Sequence, residues 1–312
     1  MPPTDALVRF LAGIGKPSEL ELYLDLFRAQ QPERFAILAV DARVDQDALA
    51  LDLRYLGQLG LHPHVAARGD DLLALARSRG TRKVIFLGPW RGLEPVGRPV
   101  PSLVDLTTEL DELRPALPDE HRALLDEAHR LITGVEHSMT VSVTSPLDLL
   151  RELFTVRGAG TMIRRGAVVT RHADYASVDR ERLEAVMESA FGATPPAALF
   201  ERTVSGIYVA DDYAGAAVVS PSVLGAYLSK FAVGRRAQGA GIGRDLWRAI
   251  AADHPALFWR ARDANAITAW YQQQCDGMAR AGEWRVFWRG LAAEQIPRAI
   301  ELACAAPVDF PV

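Results

Sequence analysis

Lysine is nearly missing from this chain. Only Lys16, Lys83 and Lys230 occur, so 32 of the 35 basic residues are arginine. A chain that replaces lysine this freely keeps an ammonium where one is wanted, which draws attention to Lys230 inside an apolar stretch. Cysteine is as scarce. Cys275 and Cys304 form no metal or redox spacing, which excludes a disulfide framework, gives no reason to expect a metal, and points to a cytoplasmic compartment. No apolar run approaches the roughly 20 residues of a membrane helix, so no membrane partner is expected. Asp5 and Arg9 interrupt the first apolar stretch, unlike a secretory signal. There is no basic excess either: the formal net charge of −4 argues against a nucleic-acid partner. What remains is 312 residues, 49% hydrophobic and 24% charged, enough for two soluble α/β domains with separate cores.

Read in order, Asp5–Gln31 predicts two amphipathic helices broken near Gly15–Pro17. Phe35–Val40 and Lys83–Leu87 are continuously apolar, the pattern of strands buried on both faces. Between them lie an amphipathic helix at Ala48–Leu59, a candidate strand at Pro63–Ala67 and a helix at Asp70–Ser78. Leu103–Leu113 and Glu120–Gly134 read as mainly helical. Ser138–Thr144 is a strand, Pro146–Phe154 a helix capped by Ser145, and Gly160–Arg165 a last strand. A linker around Arg165–Val169 precedes the helix Val178–Phe191. This alternation argues an α/β layer domain over residues 1–166 and a second domain over 167–312.

The densest signal lies in the second domain. An apolar strand carrying Lys230, Phe231, Ala232 and Val233 ends in a polar turn. A loop of Gln238, Gly239, Ala240, Gly241, Ile242 and Gly243 then opens the helix Arg244–Asp253. Small residues let successive backbone N–H groups close on an anion, and the helix N-terminus adds its positive dipole end. No Gly-x-Gly-x-x-Gly and no Gly-Lys-Ser/Thr is present, so the dinucleotide and P-loop patterns do not apply. The Gln-x-x-Gly-x-Gly order resembles the acetyl-CoA loop of the GNAT N-acetyltransferase superfamily. Over about residues 200–291, "YLSKFAV", "QGAGIG", "LFWRARDANAITAWY" and "WRVFWRGL" together resemble the acetyltransferase domain of the vertebrate-type N-acetylglutamate synthase family. The first half resembles the amino-acid-kinase domain that precedes it in that family, through "VTSPLDLLRELFTVRGAGTMIRRG" and "KVIFLGPWRGL". It departs where phosphate would be held. Ala39–Ala42 replaces a Lys-x-Gly-Gly loop and Ala66–Asp70 a His-Gly-x-Gly loop, so this domain is expected to be truncated, degenerate and non-catalytic.

The resemblance implies acetyl-CoA as co-substrate, L-glutamate or a close derivative as acceptor, and direct transfer in a ternary complex; a homo-oligomer is expected from the helices in Asp5–Gln31 and the apolar surface that a shortened first half leaves. The resemblance also implies that Gln238–Gly243 hold the pyrophosphate and that the backbone of Phe231–Val233 runs beside the pantetheine. It implies substrate-binding roles for Lys230, Arg260 and Arg262, and catalytic roles for Asn265 and Tyr271. Arginine suits a carboxylate through its bidentate fork, and a phenol of pKa about 10 can protonate a departing thiolate. Each residue has a plainer reading. Arg260 and Arg262 share one strand face, which could be a solvated basic face. Tyr271 could be core, Asn265 a helix cap, and Cys275 a small filler rather than a nucleophile. Thr268 stands where the family often has a second Asn, which leaves a side-chain-modified glutamate open as the acceptor. A non-catalytic subunit that binds CoA or an amino acid is the alternative from another class.

Overall fold

The computed structural model describes residues 35–155, 158–263, 265 and 267–310, with Gly13, Leu20, Glu21, Tyr23, Leu24, Asp25 and Phe27 besides. The chain divides into two compact units, Met1–Gly166 and Ala167–Val312. The helices expected in Asp5–Gln31 fall largely outside the described residues.

In the first unit, β1 (Ile37–Val40), α1 (Gln46–Gln58), β2 (His64–Ala67), α2 (Leu72–Arg79), β3 (Lys83–Leu87) and β4 (Leu103–Asp105) are followed by a one-turn helix α3 (Leu110–Leu113), then α4 (Asp119–Gly134), β5 (Thr140–Thr144), α5 (Leu149–Phe154) and β6 (Thr161–Arg164). The sheet order is β2-β1-β3-β5-β6-β4, parallel from β2 to β5, with β6 antiparallel to β5. Both faces are covered, which explains the unbroken apolar strands. Ile37, Ala39, Val84 and Phe86 face a core shared with α2 and α4, while Leu38, Val40, Ile85 and Leu87 face one shared with α1 and α5. Helix starts follow local chemistry: the Asp45 carboxylate accepts from Asp47 N–H, and that of Asp71 from Ala74 N–H.

Two local readings are corrected. Leu103–Asp105 is a strand, because it finds a parallel partner in β6 at Leu103↔Met162, a pairing far away in sequence. Ser145 caps no backbone N–H; its hydroxyl donates to the Asp148 carboxylate at 3.2 Å, and Pro146–Asp148 is a 3-10 turn leading into α5.

At the C-terminal ends of β1 and β2, where parallel sheets of this kind receive ligands, the side chains close on one another. Asp41 accepts from Arg43 Nε at 2.8 Å and lies 3.6 Å from Arg68, and Arg43 also pairs with Glu120. Both guanidiniums lie over the Trp90 ring, 5.5 and 5.3 Å from its centroid. The Arg43 hydrogen bond holds the Asp41 carboxyl below its ordinary range.

The second unit runs β7 (Val169–His172), α6 (Arg180–Phe191), β8 (Gly206–Ala210), β9 (Gly215–Ser222), β10 (Gly225–Val233), α7 (Ile242–Asp253), β11 (Leu257–Arg262), α8 (Thr268–Gln274), β12 (Gly277–Ala281), β13 (Trp284–Arg289) and α9 (Ile296–Ala305). Its seven strands order as β12-β13-β11-β10-β9-β8-β7. Strand β7 begins at Val169, where the expected linker ends, in a stretch for which the sequence predicts no element. Helix α6 starts at Arg180, two residues later than expected, because Asp179 is its cap and accepts from Arg182 N–H. All neighbours are antiparallel except β10 and β11, which run parallel. Helix α7 supplies the crossover between them and packs on one face of the sheet with Tyr208, Ala217, Phe231 and Trp259. Helix α6 covers part of the other face over Ile207, Val218 and Ala232.

Candidate active site

The site is built by a mismatch between two ladders. Strands β10 and β11 pair at Ala226↔Leu257, Tyr227↔Phe258 and Leu228↔Trp259, and there the pairing stops. Strand β10 continues against β9 to Val233↔Gly215, and β11 continues against β13 to Arg262↔Trp284. Beyond Leu228 and Trp259 the parallel neighbours therefore part, and among the described residues no strand lies across from the inner edge of β10 from Ser229 to Val233. Unpaired strand edges offer N–H and C=O groups to an extended ligand.

A bulge sits at the parting. Leu228 pairs with Val219 and Lys230 with Val218, so Ser229 is an extra residue on β10. The insertion reverses the alternation of side chains. Leu228 and Phe231 both face the α7 core, whereas Lys230 and Ala232 face the other side.

At the open end, β10 leads into the glycine loop. Gly239 and Gly241 have φ of +81° and +80°, a region that favours glycine, and Gly241 is the N-terminal cap of α7. Its carbonyl accepts from Arg244 and Asp245 N–H at 3.0 and 3.3 Å. The first-turn N–H groups of Ile242 and Gly243 have no carbonyl one turn earlier inside the helix, an arrangement that suits an anion.

On the α7 side of the gap lies an aromatic cluster. Trp270 stacks on Phe231 with centroids 5.5 Å apart, and Trp247 meets Trp259 edge-on at 4.9 Å. Tyr271 is buried among Phe231, Trp259 and Phe287. Burial, with the Tyr227 phenol adding to it, pushes the Tyr271 hydroxyl well above the ordinary phenol range, so it stays protonated. Among the described residues, three polar atoms here are buried without a hydrogen-bond partner: Trp247 Nε1, Trp259 Nε1 and Thr268 Oγ1. Asn265 is exposed and accepts from Ile267 N–H at 3.1 Å, shaping the turn before α8. Burial also pushes the Cys275 thiol up, away from the thiolate a nucleophile needs.

The cations lie on the opposite face, and the structure gives them partners. Lys230 Nζ contacts the Asp309 carboxylate at 2.6 Å and donates to Ser229 O and Oγ at 3.0 and 3.2 Å. Burial outweighs that carboxylate and leaves the Lys230 ammonium below its ordinary range. Arg260 donates to the carbonyls of Ala303, Cys304, Ala306 and Pro307 at 2.6 to 3.0 Å, closing the end of α9, and lies 3.8 Å from the Trp284 centroid. Arg262 pairs with Glu283 and also faces Trp284. The basic pair on β11 is thus a folded network rather than a solvated face. Arg202 is a further cation that the sequence reading passed over. Asp309 is its partner, and its only signal was an acidic residue alone in the run "AAPVDFPV".

A glycine loop opening a helix after a strand that parts from its parallel neighbour defines a GNAT-type N-acetyltransferase domain. Residues 169–303 match the family model described as "NAT, N-acetyltransferase, of N-acetylglutamate synthase", and the second unit belongs to that family. The chain is 36% identical over 217 residues to an acetylglutamate kinase of Xanthomonas campestris, covering 67% of this chain and 51% of that protein. It is 30% identical over 246 residues to the mitochondrial N-acetylglutamate synthase of Danio rerio, covering 76% and 47%. A solved N-acetylglutamate synthase from Neisseria gonorrhoeae, complexed with coenzyme A and L-arginine, aligns with 78% of this chain and 64% of its own at 18% identity and a TM-score of 0.39. The first unit is amino-acid-kinase-like. The chain spans about half the length of the relatives it matches. Among the described residues no helix is long and apolar enough to cross a membrane.

Proposed function

We propose that the chain transfers the acetyl group of acetyl-CoA to the α-amino group of L-glutamate or a close derivative. The observation that carries this reading is the parting of β10 and β11 after Leu228 and Trp259, with the glycine loop at one end and aromatic and cationic faces on either side. Gln238–Gly243 hold the pyrophosphate, and the open edge of Phe231–Val233 pairs with the pantetheine amides and polarises the thioester carbonyl. The neutral amine attacks that carbonyl, forming the C–N bond. The tetrahedral oxyanion collapses, the C–S bond breaks, and the thiolate takes its proton from Tyr271. The amine's surplus proton leaves to water, and water returns one to the Tyr271 phenolate. Burial keeps Tyr271 in the protonated form that a donor needs, while making the phenol a weaker acid. Asn265 orders the turn that delivers α8 and is assigned to catalysis with it. Lys230 is assigned to an acceptor carboxylate. Arg260 and Arg262 then shape the site from behind, through α9 and Trp284.

Incubating the whole chain with acetyl-CoA and a panel of amino acids, and following CoA release, tests the reading. Release with L-glutamate above the other amino acids supports it. A protein that binds acetyl-CoA yet releases no CoA with any amino-dicarboxylate is a binding subunit instead. We extend the reading to a homo-oligomer assembled through the first unit.

A further inference from the structure

Asp309 lies in the short segment after α9, and its side chain is 2% exposed. Arg202 grips it with both terminal nitrogens, at 2.8 Å to Oδ2 and 2.6 Å to Oδ1, and Lys230 adds a third contact at 2.6 Å. This is the bidentate fork of carboxylate recognition with a point charge beside it. Two cations on one carboxylate leave a surplus positive charge. Buried ion clusters of this kind add little stability over apolar packing, so their presence calls for another account. Position supplies it. Lys230 is the first residue after the bulge, on the arm of β10 that has just left β11, and its ammonium is tied back to Ser229 at the bulge itself. The carboxylate therefore sits against the ammonium of a residue two positions past the last paired residue of β10, Leu228.

The segment carrying Asp309 is anchored upstream by Arg260, which donates to the carbonyls of Ala306 and Pro307, so displacement of Asp309 involves only the residues from Val308 on. Val308 is 57% exposed, and Phe310 rests on Phe191 with centroids 4.3 Å apart. We propose that Arg202 and Lys230 form the binding site for a carboxylate of the acceptor, and that Asp309 is a built-in surrogate which the acceptor displaces. This rests on the acetyltransferase reading above. The chemistry makes the exchange selective. Replacing one carboxylate by another keeps both cations paired, whereas an amide or an apolar side chain takes that partner from the largely buried Lys230 and the partly exposed Arg202. The site thus admits amino-dicarboxylates and turns away neutral amino acids. The segment around Asp309 competes with the acceptor and raises its apparent KM.

The test is made on the full chain with Asp309→Asn and with Phe310→Ala, which loosens the segment without touching the ion cluster. Both variants are expected to lower the KM for glutamate at least fivefold at unchanged kcat and unchanged KM for acetyl-CoA. Arg202→Gln is expected to raise the glutamate KM at least tenfold, with partial recovery in Arg202→Lys. Calorimetry with glutarate in the presence of CoA reads the site without the reaction. Binding at least fivefold tighter to Asp309→Asn than to the parent, and lost in Arg202→Gln, supports the carboxylate site even if no acceptor is acetylated. Equal glutarate affinity and equal glutamate KM in the parent and in whichever of the two segment variants folds, with Arg202→Gln changing only the melting temperature, overturns the proposal. The cluster is then structural.

Discussion

Arg260→Ala separates the two roles open to that side chain. As placed, the guanidinium donates four hydrogen bonds to carbonyls between Ala303 and Pro307 and covers the Trp284 ring. Bonds from a charged donor are worth about 1.5–3 kcal/mol each when removed singly. Four on one fork do not add, and carbonyls at a helix end regain water when the side chain is cut back. The ring contact contributes about 0.5–2 kcal/mol more. A net loss of about 3–4 kcal/mol follows for the second unit, which at about 3 °C per kcal/mol for a unit of this size lowers its melting temperature by about 10 °C. Scanning calorimetry measures the shift. Hydrogen exchange at Ala306, whose N–H donates to Leu302 O, reports whether the end of α9 has frayed. Arg260→Lys should recover little, since an ammonium cannot span four carbonyls. A folded Arg260→Ala protein whose melting temperature moves by less than about 2 °C, with a glutamate KM raised tenfold or more, would refute this reasoning and make Arg260 a direct ligand of the acceptor.

Tyr271→Phe removes an interaction needed mainly in the transition state, so kcat falls about 10²-fold or more with both KM values little changed; a silent Tyr271→Phe beside a dead Cys275→Ser would point to an acetyl-cysteine intermediate, visible by mass. Because burial raises the Tyr271 pKa, its acid form persists as pH rises, and kcat should show no falling limb below about pH 10, the ordinary phenol value. A drop centred near pH 8 would exclude Tyr271 as the acid. Gly241→Glu places a charged side chain at φ of +80° and aims it at the pyrophosphate, so acetyl-CoA binding is lost in titration calorimetry; unchanged affinity in a folded variant would mean the loop is only a turn. The first unit should show no micromolar binding of Mg-ATP, since Asp41, Arg43, Arg68 and Trp90 close on one another where the phosphate loops would be.

Much of this protein is legible in its residue order. Continuous apolar runs such as Phe35–Val40 mark strands covered on both faces, and the architecture agrees. Glycines spaced before a helix announce a tight loop at its N-terminus, and Gly239 and Gly241 take the positive φ that only glycine adopts freely. The two-residue spacing of Arg260 and Arg262 puts them on one face, opposite Trp259 and Ala261, as strand periodicity requires. These features are local: they follow from backbone sterics and side-chain period within a few residues.

Tertiary structure alone decided what the charges do. Strand period places Lys230 on the same face as Leu228, and the bulge at Ser229 turns it to the other, because the extra residue is absorbed by β10 pairing with β9. Arg202 meets Asp309 across 107 residues, and Arg260 meets the end of α9 across 43 to 47. No periodicity spans such distances. The parting of β10 from β11 is likewise invisible in either strand, since each is a regular strand with its own outer partner and only their joint register leaves the gap. Local sequence sets which groups are available; the long-range pairing of strands, which buries them together, sets which groups meet.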